Sequence, residues 1–330
     1  MKLTSLLALT WCCCVATTGI AQENKTSLPY RFATRAEAQM LVTDIDDYTS
    51  NWNQFDIEFR LQKVEGKKSE LLRMAMDETR NWSDQEKSNV EKAFKTIQNQ
   101  ISKQKFNLPF PEEIIIVKTT QKEEGGATAY TRKNWIALGE KALNAPIETL
   151  TQVMAHELFH ILTRENHEFK KAIYATIGFT VLDKEIIFPS DINQKRISNP
   201  DVSRYDSYAT FTIEGEKQPC TMVLYSDKPY SGGDLSQYMQ TGLIPLNERY
   251  IPVQEKGNTV IYPLTAATDF YEVVGNNTPY TIDPEEIAAE NFQYALLNTG
   301  NIKTPQIIEK IKEVLKKNKY HEAYKTLTNL

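Results

Sequence analysis

The sequence predicts an α+β fold in which a mixed sheet lies beside one long helix, with largely helical segments flanking both. Three observations predict it. Apolar residues recur at helical spacing before residue 109 and again after residue 304. Runs rich in β-branched residues cluster between 113 and 138. A helix opening near Pro146 carries His156 and His160 one turn apart, with Glu157 between them.

The chain has 330 residues, 41% hydrophobic and 25% charged, enough for one large domain or two modest ones. It contains no internal repeat, low-complexity tract or obvious linker, so one unit in two lobes with a cleft between them is expected. The boundaries read as a leader at 1–21, a helical region at 22–109, a region at 110–303 that carries the histidine helix and a cleft-forming insertion at 167–280, and a C-terminal helix at 304–330.

Residues 1–21 place Lys2 before an apolar run and end on Gly19-Ile20-Ala21, a small-x-small cleavage site. Together these read as a secretory signal, with Gln22 opening the mature chain and a periplasmic or secreted destination. Thr4, Ser5, Thr10, Thr17 and Thr18 dilute the run as a membrane anchor, and Trp11 before Cys12 disfavours a lipid-bearing cysteine. No later stretch is apolar enough to span. Cleavage removes Lys2 and no acid, leaving 37 basic against 43 acidic side chains, a net charge of −6. That balance argues against a nucleic-acid partner. Cys12, Cys13 and Cys14 leave with the leader, so Cys220 has no partner for an internal disulfide and reads as a small buried hydrophobe.

In chain order, residues 35–64 read as a helix with Met40, Leu41, Ile45, Tyr48, Trp52 and Phe55 near helical spacing, and residues 69–82 as a second. Ser83 and Glu86 form a capping-box pair that opens a third, striped by Val90, Phe94, Ile97 and Ile101. Strands follow at 113–119, 127–131 and 135–138, with Gly125-Gly126 permitting a bend. If these pair beside the histidine helix, the outer strand offers unpaired backbone groups to an extended peptide; the alternative is a plain sheet edge. Beyond residue 167 the pattern predicts helix over 172–181, strands at 211–213 and 221–225, and a short helix over 235–243. Tyr205, Tyr208, Tyr225, Tyr230 and Tyr238 crowd this part as candidates to line a cleft. Thr304 and Pro305 start the last helix, with Ile307, Ile308, Ile311, Val314 and Leu315 on one face.

Residues 156–160 match H-E-x-x-H. On a helix the two imidazoles leave one face and converge on one ion, and Glu157 stands beside the metal's open position, placed to take a proton from a water whose pKa zinc lowers to roughly 7. A catalytic zinc takes a third protein ligand. The metzincin spacing would put it at Asn166, with a glycine where Thr163 stands, and His167 is one residue too far along. The better candidate lies in residues 283–292, where Pro284 can open a helix and Glu286 and Glu290 share a face while Glu285 points elsewhere.

That segment resembles the E-x-x-A-D/E motif of gluzincin metallopeptidases, the thermolysin-like and neprilysin-like zincins. Together with residues 124–127, 129–132 and 156–164 it resembles a group of bacterial exported gluzincin-type proteins over roughly residues 110–300. The resemblance implies a zincin-like fold, Zn2+ held by His156, His160 and Glu286, and Glu290 orienting a histidine ligand from behind. Two positions depart from that group: Asp283 stands where histidine is frequent, and His167 where proline is. Glu286 also follows His160 by 126 residues, a longer gap than in thermolysin or neprilysin.

The expectation is an exported zinc-dependent peptidase acting on peptide or protein, with Glu157 as general base. The oxyanion donor is left open between His167, His321 and a tyrosine from 205–238. The rival is a zinc-stabilised binding or scaffold protein without turnover; another zinc amidohydrolase acting on cell-wall material is a further alternative.

Overall fold

The computed structural model describes residues 28–317. The leader expected at 1–21, His321 and the end of the C-terminal segment lie outside the described residues. The chain enters as strand β1 (Tyr30–Phe32). One helix is expected over 35–64, and three form: α1 (Arg35–Val42), α2 (Asp47–Ser50) and α3 (Gln54–Leu61). The cause is local. Asp46 and Asn53 hold extended backbone, and each accepts the N–H of the third residue on, Thr49 or Asp56, whose side chain returns the bond. Two capping boxes thus restart the helix twice.

Helix α4 (Lys68–Asp77) stops short of residue 82, and Thr79 bridges instead to Thr119. Helix α5 (Asp84–Gln104) opens on the Ser83–Glu86 capping box and buries Val90, Ala93, Phe94 and Ile97. Strands β2 (Ile114–Lys118), β3 (Ala129–Arg132) and β4 (Trp135–Leu138) then complete a four-stranded sheet in the order β1-β2-β4-β3. β2 runs parallel to β1 and β4, whereas β3 is antiparallel to β4, so the sheet is mixed and β3 is its edge.

After the short α6 (Glu140–Leu143), α7 (Ile147–Glu165) carries the H-E-x-x-H residues against β3 and α5. α8 (His167–Tyr174) ends earlier than expected, because Gly178 at φ +80° turns the chain into β5 (Thr180–Val181). α9 (Ser190–Lys195), β6 (Ser207–Ile213), β7 (Glu216–Tyr225) and β8 (Gln240–Pro245) follow. The helix expected over 235–243 is one 3-10 turn, Leu235–Gln237; from Gln240 the chain pairs with β7 instead. A small hairpin, β9 (Gln254–Glu255) and β10 (Asn258–Thr259), leads to β11 (Tyr262–Pro263). The second sheet has the order β11-β8-β7-β6-β5.

α10 (Phe270–Val274), α11 (Pro284–Leu297) and α12 (Pro305–Leu315) close the described chain, which is α+β. One continuous core joins Phe94 of α5, Ile116 of β2, Leu158 of α7, Phe211 of β6, Phe292 of α11 and Ile311 of α12. α11 is buried on nearly every face, so its acids are carried inside with it. Among the described residues no helix is long and apolar enough to cross a membrane.

Candidate metal centre

Helices α7 and α11 pack against each other and bring their polar residues together at one end of a cavity of about 570 Å³. Asp283 starts α11, its Oδ1 accepting the N–H of Glu285 at 2.8 Å. Nε2 of His156 lies 3.0 Å and Nε2 of His160 3.8 Å from the same oxygen, Oε2 of Glu286. One ligand atom from each of the three falls within 4.8 Å of the others, a grouping that can hold a metal ion.

Both rings are oriented from behind. Nδ1 of His156 is 3.1 Å from Oε1 of Glu290, whose other oxygen accepts the Tyr294 hydroxyl at 2.7 Å. Nδ1 of His160 is 3.1 Å from Oε1 of Glu285, which also accepts the hydroxyls of Thr163 and Tyr174. Glu285 was expected to point elsewhere, and that expectation is corrected. It does sit about 100° round the helix from Glu286. α11 is packed against α8 on that side as well as against α7, so Glu285 meets the second histidine instead of solvent.

These contacts pass a chemical test for a bound cation. His160 is fully buried, and among the described residues its Nε2 has no hydrogen-bond partner. A buried polar atom without a partner is unfavourable by about 1–3 kcal/mol, and coordination would satisfy it. Burial opposes charge on His156, yet the hydrogen bonds it donates to Glu286 and Glu290 raise its pKa well above the ordinary value. Burial, then the charge of Glu286, raises Asp201 well above the usual carboxylate range. Burial and then Asp201 push Glu157 up to about 7. The cavity gathers carboxylates that favour a cation among them.

Glu157 is buried, its Oε2 accepting the Thr131 hydroxyl at 2.7 Å. Asp201 comes from the loop after α9 and accepts the Thr131 N–H at 2.6 Å, while Asn199 donates to Oε1 of Glu286 at 2.5 Å. Glu157, His160 and Asp201 form a second grouping within 4.8 Å. It shares His160 with the first and lies in the same cavity.

The remaining candidates are placed differently. Tyr205, Tyr208, Tyr225, Tyr230 and Tyr238 do not line the cavity; Tyr130, Tyr280 and Tyr294 do. Tyr230 and Tyr238 pack with Phe55 and Leu224 in a separate apolar cluster. His167 stands outside the cavity with its Nε2 3.5 Å from Asp183. Cys220 is buried on β7 and its thiol is pushed up to about 12 by burial, in keeping with a hydrophobe. No sequence pattern pointed to Asn199, Asp201 or Tyr280, and Thr131 entered only as part of the resemblance at 129–132, without a role; Asn199-Pro200-Asp201 reads only as a turn.

No family model, curated protein or solved structure matches the chain.

Proposed function

We propose that the protein is an exported zinc-dependent peptidase of the gluzincin type with a zincin-like catalytic region. The observation that carries this reading is the convergence of His156, His160 and Glu286 on one point, each histidine held through Nδ1 by its own carboxylate. Two imidazole nitrogens and one carboxylate oxygen are a donor set suited to catalytic zinc, and Glu290 and Glu285 are its supporting partners. Zinc, when bound, supplies a Lewis acid and lowers the pKa of water to roughly 7.

The chain's own residues do the rest. Glu157 takes the proton of the attacking water and passes it to the departing amine, and its pKa near 7 suits both transfers at neutral pH. The Thr131 hydroxyl holds Glu157 in place. Tyr280 lines the cavity, and among the described residues its hydroxyl has no hydrogen-bond partner, which supports it as the donor to the carbonyl oxygen.

Edge strand β3 lies against α7 and can receive a peptide backbone. Thr128 accepts from Gly139 toward β4, so alternation turns Ala129 outward with its N–H and C=O free of β4. This favours strand addition over a plain edge.

A non-catalytic scaffold has no use for a buried carboxylate beside two histidines in an open cavity, so Glu157 favours turnover. The test is a metal assay paired with cleavage of a diverse peptide library, with and without chelator. Chelator-sensitive cleavage and one zinc per chain are expected. A chain that holds zinc and cleaves no peptide would transfer support to the scaffold reading. Mass spectrometry of the mature protein tests export, with Gln22 expected as first residue.

A further inference from the structure

We infer that this peptidase acts on free amino termini, releasing one residue at a time, with the Asp201 carboxylate receiving the substrate's α-ammonium group. The inference rests on the peptidase reading and concerns what closes one end of the cleft.

The segment 198–201 crosses from the metal centre to the edge strand and is tied at both ends. Asn199 donates to Glu286, and its Oδ1 accepts the Asp201 N–H at 3.0 Å. Ser198 is fixed by its N–H and hydroxyl on Asp56 at 2.8 and 2.7 Å, and its carbonyl accepts from Arg60 at 2.7 Å. At the far end Asp201 Oδ1 accepts the Thr131 N–H, and the Arg164 guanidinium donates to the carbonyls of Pro200, Asp201 and Thr131 at 3.0, 3.1 and 3.4 Å.

Both outward backbone groups of Thr131 are therefore taken by the chain itself, while those of Ala129, two residues back, stay available. A peptide laid along β3 can pair at Ala129 and must stop before Thr131. The wall ends in the Asp201 carboxyl group. Among the described residues Asp201 Oδ2 accepts no hydrogen bond, and Asp201 lines the cavity. A peptide antiparallel to β3 brings its amino end to this wall. A parallel one would bring its carboxylate into a cavity already lined by Glu286 and Glu290, so charge selects the amino end.

Distance sets how much substrate fits before the scissile bond. A carboxylate oxygen of Asp201 lies within 4.8 Å of one of Glu157. An extended chain advances ~3.3 Å per residue, so one residue fits between ammonium and attacked carbonyl where two would need ~6.6 Å. In the reaction water adds across the first peptide bond. Its hydroxyl goes to the acyl carbon of the first residue and its proton, through Glu157, to the departing amine, giving one free amino acid and a shortened peptide.

The test uses the full mature chain loaded with one equivalent of zinc and a panel of pentapeptides, each with a free and an N-acetylated terminus. Products are read by mass spectrometry. Stepwise loss from the free amino end is expected, with acetylated peptides slower by roughly 10²–10³-fold, the effect of leaving a buried charge unpaired. Asp201→Asn keeps the acceptor for Thr131 and should reduce the preference to a few-fold, with zinc content and circular dichroism unchanged. Calorimetric binding of the same pairs to Glu157→Gln should show the preference without turnover. Internal cleavage of both forms at similar rates would overturn the inference and leave the peptidase reading standing, as would full discrimination by folded Asp201→Asn. If no peptide is cleaved or bound, the peptidase reading falls and the inference with it.

Discussion

Glu285 and His160 meet across the α7–α11 interface, Oε1 to Nδ1 at 3.1 Å, with both side chains buried. The contact directs the opposite ring nitrogen toward Glu286, and Glu290 does the same for His156 at 3.1 Å. Consecutive acids on one helix therefore make different contacts, Glu286 with the Nε2 atoms of both histidines and Glu285 behind one ring. Loss of Glu286 should empty the site. Glu285→Ala and Glu290→Ala should each weaken zinc binding about 10–100-fold, measured by competition with a chelator and with folding checked by circular dichroism. Wild-type affinity in folded Glu285→Ala would mean that its hydrogen bond does not orient the ligand.

Glu157→Gln preserves shape and the contact with Thr131 while removing the proposed base. Zinc content should stay at one per chain and turnover should fall by roughly 10²–10⁴-fold. An active Glu157→Gln enzyme would place the base elsewhere in the cavity.

Metal binding should be proton-linked with a definite sign. Glu286 and Glu290 hold a proton on metal-free His156 above the ordinary histidine range. Zinc requires the neutral ring, so binding at pH 7 releases that proton and affinity rises with pH until the raised pKa is passed. Calorimetry in buffers of different ionisation enthalpy should count about one proton released per zinc at pH 7. A count of zero at that pH would contradict the assignment.

Glu123 makes a separate prediction about stability. It is buried, its Oε2 has no hydrogen-bond partner among the described residues, and desolvation raises its pKa from 4.5 to about 7. The folded state then holds a proton that the unfolded state releases above pH 4.5. Stability from this group is complete below that pH and is lost as pH rises to about 7, by about 3 kcal/mol in all. Glu123→Gln should melt well above wild type at pH 8 and close to it at pH 4. Equal melting temperatures at pH 8 would show that Glu123 is ionised without penalty.

What the sequence determined by itself is what depends on neighbours within a turn or a strand. The i, i+4 histidines with Glu157, the Ser83 capping box, the start of α11 at Asp283-Pro284 and the strands between 113 and 138 all stand where local spacing put them. Glu286 and Glu290 were legible through a motif, and both reach His156. Even local signals compete, however. The apolar period over 35–64 suggested one helix, and the side chains of Asp46 and Asn53 cut it into three. Only the tertiary structure decided the rest. Residues 240–245 became strand β8 because the ladder with β7 outweighed a weak helical pattern. Glu285, pointing away from the motif's face, was claimed by a histidine because α11 is buried on that side too. Asp201 and Asn199 entered the site from a loop with no period to read, held by Thr131, Arg164 and Glu286. A single polar residue in a turn carries no record of its distant partner; that partner is chosen when elements far apart in the chain pack and leave its polar atoms one place to be satisfied.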